Sequence, residues 1–428
     1  MILPSVDPFT PVDEQVSDES DHECTQEAHD PEHQHDESCA HEADTPAGVT
    51  VVNGLTIVHD FDMSTFPADE TSLYLFNERL GRIPSINHFS QLRSVVLTKN
   101  LLRTIEGLDQ LVQLEELDLY DNLIDRISGL EKLVNLRRLD LSFNKIRKIE
   151  GLETLVNLRR LYLVSNKISK MEGLESQKHL ELLEMAHNRV RVIENISHMS
   201  ELTELWLARN KLTSLAGLDG LTSLTLLSIQ SNRISTLDGL SKVPALEELY
   251  ASHNAIASLT SLAACPRAEI ATSEPTEPTE DETSQLVAPV AALTLRRPAT
   301  ASPFDISDGA LANVPHLTTL DVAVNRLRSF EGAECLVSLQ ELWANGNQIS
   351  DFRDVERYIS PSKDSLQTIY LEHNPLRADP QYHLKLKILF PGLTQIDAVH
   401  LRPGMTPMAA AAAGVAVDSG TPSPYRAM

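Results

Sequence analysis

The residues best suited to hold a metal ion lie near the N-terminus. Imidazole and thiolate are ligands for transition metals, and seven such residues occur in a short stretch: His22, Cys24, His29, His33, His35, Cys39 and His41. Their spacing fits no standard zinc site, so we interpret them as part of an acidic disordered tail and predict no metal and no cofactor. The chain lacks phosphate-loop, nucleophile-elbow, zinc-protease and EF-hand motifs. We therefore expect no catalytic residues and a protein that is not an enzyme.

Charge and composition exclude further classes of function. The 428 residues carry 61 Asp and Glu against 36 Lys and Arg, a net charge of −25, which opposes binding to nucleic acid. No run of about 18 apolar residues occurs, so we expect no membrane partner, and the start of the chain lacks the basic and apolar parts of a secretory signal. Four cysteines without a CxxC pair favour a reduced intracellular protein.

Asparagine recurs at a constant interval of 22 residues. Eight positions show it: Asn100, Asn122, Asn144, Asn166, Asn188, Asn210, Asn232 and Asn254. The apolar residues around each follow the pattern LxxLxLxxNxIxxIxGLxxL, which is a leucine-rich repeat. One further copy precedes Asn100, with Glu78 at the asparagine position, and three follow, at Asn325, Asn347 and Asn374. The sequence therefore predicts twelve repeats.

The repeat predicts the fold. Each LxL is a short strand with both leucines pointing inward, and the next repeat adds a parallel strand about 4.8 Å away. Because no repeat buries its leucines alone, stacking creates the core. We predict an α/β solenoid: a leucine-rich-repeat horseshoe with a parallel concave β-sheet, turns and 3-10 segments on the convex face, and a helical C-terminal cap whose helix is capped at Asp379 and continues with Pro380.

These patterns divide the chain into six segments. They are a disordered acidic tail (1–55), repeats 1–9 (56–262), an insertion rich in Pro, Thr, Glu and Ala (263–308), repeats 10–12 (309–375), the C-terminal cap (376–402) and a disordered tail (403–428). We interpret the insertion as a disordered loop. Two degenerate repeats are the alternative, although the insertion contains no LxLxxN.

The middle residues of the LxL strands point away from the core and are expected to face solvent on the concave side. We call this set the concave row: Tyr74, Val96, Asp118, Asp140, Tyr162, Glu184, Trp206, Ser228, Tyr250, Asp321, Trp343 and Tyr370. Both tryptophans of the chain and four of its eight tyrosines lie here, with four acids and no Lys or Arg. Exposed Trp and Tyr are typical of binding hot spots, and acids favour a basic partner. The alternative is the β-propensity of aromatic residues, which does not explain the acids.

Several strings beyond the bare repeat resemble a known family, the regulatory subunit 7 family of protein phosphatase 1. These are LDLSFNKIRKIEGL (139–152), LVSNKISKMEGL (163–174), VIENISHMSEL (192–202), IQSNRIS (229–235) and YLEHNPLRADPQYHLKLKILFPGLTQID (370–397). The resemblance covers about residues 70–400 without the insertion. The terminal string is shared with other leucine-rich families, including a spliceosomal subunit.

The resemblance implies a noncatalytic subunit that binds the catalytic subunit of protein phosphatase 1 with its concave face and controls its activity, maturation or localisation. It also implies a second phosphatase inhibitor in a ternary complex, and a location in nucleus and cytoplasm. Carried over by position, the partner-binding residues are Asp140, Tyr162, Glu184, Trp206, Asp321, Glu341, Trp343 and Tyr370. The alternative is a leucine-rich-repeat scaffold of another nuclear or axonemal complex. A nucleic-acid-associated scaffold is expected to carry a basic surface, which we do not find in the sequence.

Two departures from the family bear on this interpretation. The insertion falls between Tyr250 and Asp321, inside the concave row, so binding survives if it leaves from the convex side and is gated if it folds over the concave face. The N-terminal 50 residues hold 14 acids and no Lys or Arg. Such a segment binds a further basic partner or keeps the protein soluble.

Overall fold

A computed structural model describes residues 48–52, 55–263 and 314–402, together with 406, 408 and 409. The predicted acidic tail up to residue 47, the predicted insertion from residue 264 onward and most of the predicted C-terminal tail lie outside the described residues. In the part of the chain that the structure describes, no helix is long and apolar enough to cross a membrane.

Two sheets make up the described chain. A hairpin of β1 (Val49–Val52) and β2 (Leu55–Val58) precedes a 14-stranded sheet in which every strand neighbours the next one in sequence. That sheet consists of β3 (Ser72–Tyr74), β4 (Ser94–Val96), β5 (Glu116–Asp118), β6 (Arg138–Asp140), β7 (Arg160–Tyr162), β8 (Leu182–Glu184), β9 (Glu204–Trp206), β10 (Leu226–Ser228), β11 (Glu248–Tyr250), β12 (Thr319–Asp321), β13 (Glu341–Trp343), β14 (Thr368–Tyr370), β15 (Gln395–Ile396) and β16 (Val399–His400). All pairs from β3 to β15 are parallel. The predicted leucine-rich-repeat solenoid is confirmed.

The asparagine ladder ties each repeat to the previous one. Asn144 donates from Nδ2 to the carbonyls of Leu119 and Leu141, at 3.0 and 3.1 Å, and its Oδ1 accepts from the backbone N–H of Ile124 at 2.9 Å. The core residues of the same repeat, such as Leu139, are fully buried. A polar residue is therefore stable at a core position because it satisfies backbone groups that the short strands leave unpaired.

In the described repeats, the convex side is made of turns and short 3-10 segments, together with one α-helix that we did not predict there. The 3-10 segments are Leu240–Lys242, Thr260–Leu262, Ser360–Ser362 and Pro375–Ala378. The helix is α1 (Phe352–Ile359), whose N-cap Asp351 accepts from the backbone N–H of Arg353 at 2.9 Å. This repeat is longer than 22 residues, since Asn347 and Asn374 lie 27 apart, so it has room for two helical turns.

The C-terminal cap contains α2 (Tyr382–Leu389) before β15 and β16. The prediction that Asp379 caps this helix is wrong in its position, because Gln381 is the N-cap residue. Asp379 instead ends the preceding 3-10 segment, and its Oδ1 accepts from the backbone N–H of Gln381 at 2.8 Å. Pro380 therefore lies between two helical segments.

The N-terminal end of the solenoid carries the hairpin of β1 and β2, within a segment that we predicted to be disordered up to residue 55. Its strands VTVV and LTIV are rich in β-branched residues, which favour strands. Val58 forms a parallel bridge with Leu80 of the first repeat. We predicted disorder from the acidic composition of the whole segment, and this composition does not apply to its apolar C-terminal end.

Candidate partner-binding face

The concave row forms one uninterrupted line of neighbouring residues. In the register of the sheet, Tyr162 lies beside Glu184 and Glu184 lies beside Trp206. The predicted site residues fall into two groups on this line. Asp140, Tyr162, Glu184 and Trp206 occupy β6 to β9, and Asp321, Trp343 and Tyr370 occupy β12 to β14. Ser228 and Tyr250 lie between the groups, so Trp206 and Trp343, four strands apart, are separated by roughly 19 Å.

Each tryptophan of the concave row donates a hydrogen bond to a glutamate two residues earlier on the same strand. Trp206 donates from Nε1 to Oε2 of Glu204 at 3.1 Å, and Trp343 donates in the same way to Glu341 at 3.2 Å. Residues two apart on a strand share a face, which explains the repeated string Glu-Leu-Trp. The eighth predicted site residue, Glu341, therefore orients Trp343. Glu204 orients Trp206 in the same way and was not among the predicted site residues, although the string Glu-Leu-Trp contains it.

Two of the aromatic residues form a rigid pair at the C-terminal end of the row. The rings of Trp343 and Tyr370 stack with centroids 4.1 Å apart and planes 6° from parallel. Gln395 in β15 donates from Nε2 to the hydroxyl oxygen of Tyr370. A stacked and hydrogen-bonded pair needs little ordering when a partner binds, so it presents apolar area at a low entropic cost.

An arginine lies among the acids of the first group. The Arg138 guanidinium lies 3.2 Å from Oδ2 of Asp140 and 3.5 Å from Oδ2 of Asp118. Its Cζ lies 5.0 Å from the centre of the Tyr162 ring. Arg138 is the first residue of β6 and shares the face of Asp140, two residues later. The concave row itself contains no Lys or Arg, but the concave face as a whole contains a basic residue, because Arg138 lies on it.

Part of the row is less exposed than predicted. Asp140 and Tyr370 expose only 8% and 7% of their surface, although we expected both to face solvent. Arg138 of the same strand pairs with Asp140, and Trp343 of the neighbouring strand stacks on Tyr370. Burial raises the pKa of Asp140, while the N–H of Ser142, 3.0 Å from its Oδ1, and the charge of Arg138 lower it. Asp140 is thus held in place by contacts within the chain, and only a small part of its surface is left to meet a partner.

Glu184 carries the most perturbed carboxyl group of the row. Burial raises its pKa from 4.5 to about 7, with smaller contributions from the charges of Asp140 and Glu204. No cation pairs with it among the described residues. A basic group of a partner would supply the missing positive charge.

The insertion does not interrupt the sheet. β11 pairs directly with β12, with Tyr250 beside Asp321. The last described residue before the gap, Ala263, follows a 3-10 segment of the convex side, and the first after it, Val314, is fully buried. Ala263 lies 13 residues after the end of β11 and Val314 lies five residues before the start of β12, so neither described end belongs to the strands that carry the concave row.

No group of three or more potential metal ligands occurs within 48–52, 55–263 and 314–402. The seven His and Cys residues between positions 22 and 41 lie outside that part of the chain. The prediction that no metal is bound there stays a prediction.

A family model described as "Leucine Rich repeats (2 copies)" matches residues 112–154, 134–176 and 222–264. Two solved structures share the fold. One is an internalin from Listeria monocytogenes, 24% identical with a TM-score of 0.55, covering 77% of this chain and 87% of that one. The other is a leucine-rich-repeat protein from Leptospira interrogans, 22% identical with a TM-score of 0.52, covering 74% and 75%. The fold is that of leucine-rich-repeat proteins.

Curated relatives support the resemblance to phosphatase regulators. Protein phosphatase 1 regulatory subunit SDS22 of Schizosaccharomyces pombe is 43% identical over 65 residues, 15% of this chain and 19% of that protein. Protein phosphatase 1 regulatory subunit 7 of Mus musculus is 53% identical over 38 residues, 9% of this chain and 10% of that protein. The human protein of the same name is also 53% identical over 38 residues, 9% and 11%. The matched segments thus span a fifth or less of each relative's length.

Proposed function

We propose that this chain is a noncatalytic regulatory subunit of protein phosphatase 1. It binds the catalytic subunit through the seven residues of the two groups on the concave face together with Glu341, and it controls the activity, maturation or localisation of that enzyme. The names of the curated relatives support this proposal over a scaffold of another nuclear or axonemal complex. A ternary complex with a second inhibitor, and a location in nucleus and cytoplasm, are parts of the same proposal.

One observation carries the proposal most directly: both tryptophans of the chain lie on one face, each held by a glutamate of its own strand. A held indole is a preorganised anchor, since its rotamer is already restricted before binding. The glutamates leave a negative charge beside each ring. The arrangement suits a partner surface with apolar pockets and basic rims, separated by the roughly 19 Å between the two rings.

The test is calorimetric titration of the full chain with the catalytic subunit of protein phosphatase 1, in metal-loaded and metal-depleted forms. Trp206→Ala and Trp343→Ala should each weaken binding by about 2 kcal/mol, or about 30-fold in Kd. Glu341→Gln should weaken it less, because the indole of Trp343 keeps a hydrogen-bond acceptor but loses the charge.

The matched control is Tyr74→Ala, because Tyr74 is an aromatic residue of the concave row on β3 that is 65% exposed and lies outside both groups. It should leave the affinity unchanged. No binding of the unaltered chain to either enzyme form would reject the proposed function. Binding that neither tryptophan variant weakens would keep the function and reject the site.

A further inference from the structure

A column of positive charges runs along one flank of the solenoid. The residue that follows the ladder asparagine is basic in five consecutive repeats, and we call this set the cationic column: Lys145, Lys167, Arg189, Lys211 and Arg233. Backbone hydrogen bonds hold these positions in register. The N–H groups of Lys167, Arg189 and Lys211 each donate at 2.8 Å to a carbonyl of the preceding repeat. Neighbouring members therefore lie about 5 Å apart, and the column is about 20 Å long.

The turn segments that carry the column contain no acidic residue, whereas the turn of the preceding repeat, 121–126, holds Asp121 and Asp125. The five turn segments 143–148, 165–170, 187–192, 209–214 and 231–236 together hold ten Lys and Arg and no Asp or Glu. Among the described residues, no member of the column forms an ion pair, and Lys148 of the first segment pairs with Glu150 at 3.3 Å. A dense positive strip thus exists in a chain whose net charge is −25.

The fold does not require cations at this position. Leu101, Leu123 and Ala255 occupy it in other repeats. Like charges about 5 Å apart repel each other, so five of them in a row destabilise the free solenoid slightly. An anionic ligand would remove this repulsion.

Gly48, the residue that follows the N-terminal segment 1–47, lies on the same flank. The hairpin strand β2 attaches to the turn that follows the first repeat's asparagine position: Val58 accepts from the N–H of Gly81 at 2.8 Å and donates to Arg79 at 2.9 Å. Gly48, the first described residue, accepts from His59 at 2.7 Å. The turn of Arg79 lies three repeats before that of Lys145, a distance of about 15 Å.

We propose that the acidic segment 1–47 of this chain binds the cationic column in cis. The segment holds 14 Asp and Glu and no Lys or Arg, and its acids run from position 7 to position 44. A chain of this length reaches well beyond the column, because each extended residue spans about 3.3 Å. Tethering gives the segment an effective concentration in the millimolar range at this flank. It therefore competes with any free polyanion, nucleic acid included.

The test is zero-length carboxyl-to-amine cross-linking of the full chain, followed by mass spectrometry of the monomer band. Cross-links from the acids of segment 1–47 should concentrate on Lys145, Lys167 and Lys211. Lys132 and Lys178, which are exposed on the convex side, serve as internal references. Raising the salt to about 1 M, where the Debye length falls to about 3 Å, should remove the enrichment. Equal labelling of all five lysines would overturn the proposal.

A variant makes the assignment specific. Lys167→Gln, Arg189→Gln and Lys211→Gln together should abolish the cross-links to Lys145, and the control triple Lys132→Gln, Lys178→Gln and Lys363→Gln should keep them. Cross-links found only between two copies of the chain would overturn binding in cis. Binding of a single-stranded RNA oligonucleotide that the column variant abolishes, without any cross-link from segment 1–47, would reassign the column to nucleic acid.

Discussion

Replacing Glu184 by Gln should stabilise the chain at pH 8 and leave its stability nearly unchanged at pH 4.5. The side chain lies between Tyr162 and Trp206 in the sheet, and burial raises its pKa from 4.5 to about 7. A raised carboxyl pKa means that the folded state disfavours the charged form. The native chain therefore loses stability as pH rises from about 4.5 to about 7, and the loss is complete above that range.

The magnitude follows from the pKa difference. At about 1.36 kcal/mol per pKa unit, the rise from 4.5 to about 7 corresponds to about 3 kcal/mol. Glu184 is only half-buried, so screening by solvent reduces the expected effect to about 1–2 kcal/mol. The variant should exceed the native chain by this amount in free energy of unfolding at pH 8.

Urea unfolding of both chains at pH 4.5, 6 and 8 measures the effect. Glu175→Gln, which removes an exposed carboxylate from the convex surface, is the matched control and should give no gain that grows with pH. A gain for Glu184→Gln that is equal at pH 4.5 and pH 8, or a loss at pH 8, would refute the electrostatic reasoning. In that case the packing of Glu184 between its neighbours would determine its contribution.

Three further outcomes are expected. If a basic partner ionises Glu184, its affinity should rise between pH 6 and 8, and calorimetry in two buffers of different ionisation enthalpy should show proton release on binding. Asn166→Ala removes three buried hydrogen bonds to backbone groups and should cost about 3 kcal/mol in urea unfolding; a cost below about 1 kcal/mol would contradict the ladder's proposed role. Gly151→Ala places a Cβ 2.8 Å from the carbonyl oxygen of Ile127, whereas Gly107→Ala meets nothing within 4 Å at a similar positive φ. Both should lose about 1 kcal/mol from backbone strain, and thermal melting should show a larger loss for Gly151→Ala. Equal losses would contradict the steric part of this prediction.

The fold was predictable because the chain repeats one pattern. The interval between Asn122 and Asn144 determines the stacking of repeats, and the leucines around each asparagine determine which side is buried. The concave row follows from strand alternation alone. Where the interval changes, the prediction failed: α1 arises in the longer repeat before Asn374, and no pattern of 22 residues contains it.

The details of the face were not predictable from periodicity. The alternation of side chains along a strand predicts on which side of the sheet Asp140 lies. It does not predict how deeply Asp140 is buried, because this depends on the surrounding side chains. The same limit applies to Arg138. It is the first residue of β6, and its guanidinium contacts the carboxylates of Asp140 on its own strand and Asp118 on β5. The contact between Arg138 and Asp118 joins residues 20 positions apart, so it appears only when the two strands are aligned.

In each repeat, the fold determines the residue type at some positions and permits many residue types at others. The residues at the permissive positions are therefore the best indicators of function. The ladder asparagine and core leucines satisfy the backbone and fill the core, whatever the protein binds. The third strand residue and the residue after the asparagine do neither: Val96 and Ser228 occupy the first position, and Leu123 and Ala255 occupy the second.

On β6 to β9, these two permissive positions carry opposite characters. The concave row presents acids and aromatic residues, and the cationic column presents Lys or Arg on each of the same repeats. The stacking of the repeats needs neither composition, and the like charges of the cationic column oppose it. Under the two proposals, the same four repeats therefore bind two different ligands, one basic and partly apolar on the concave row and one acidic on the cationic column.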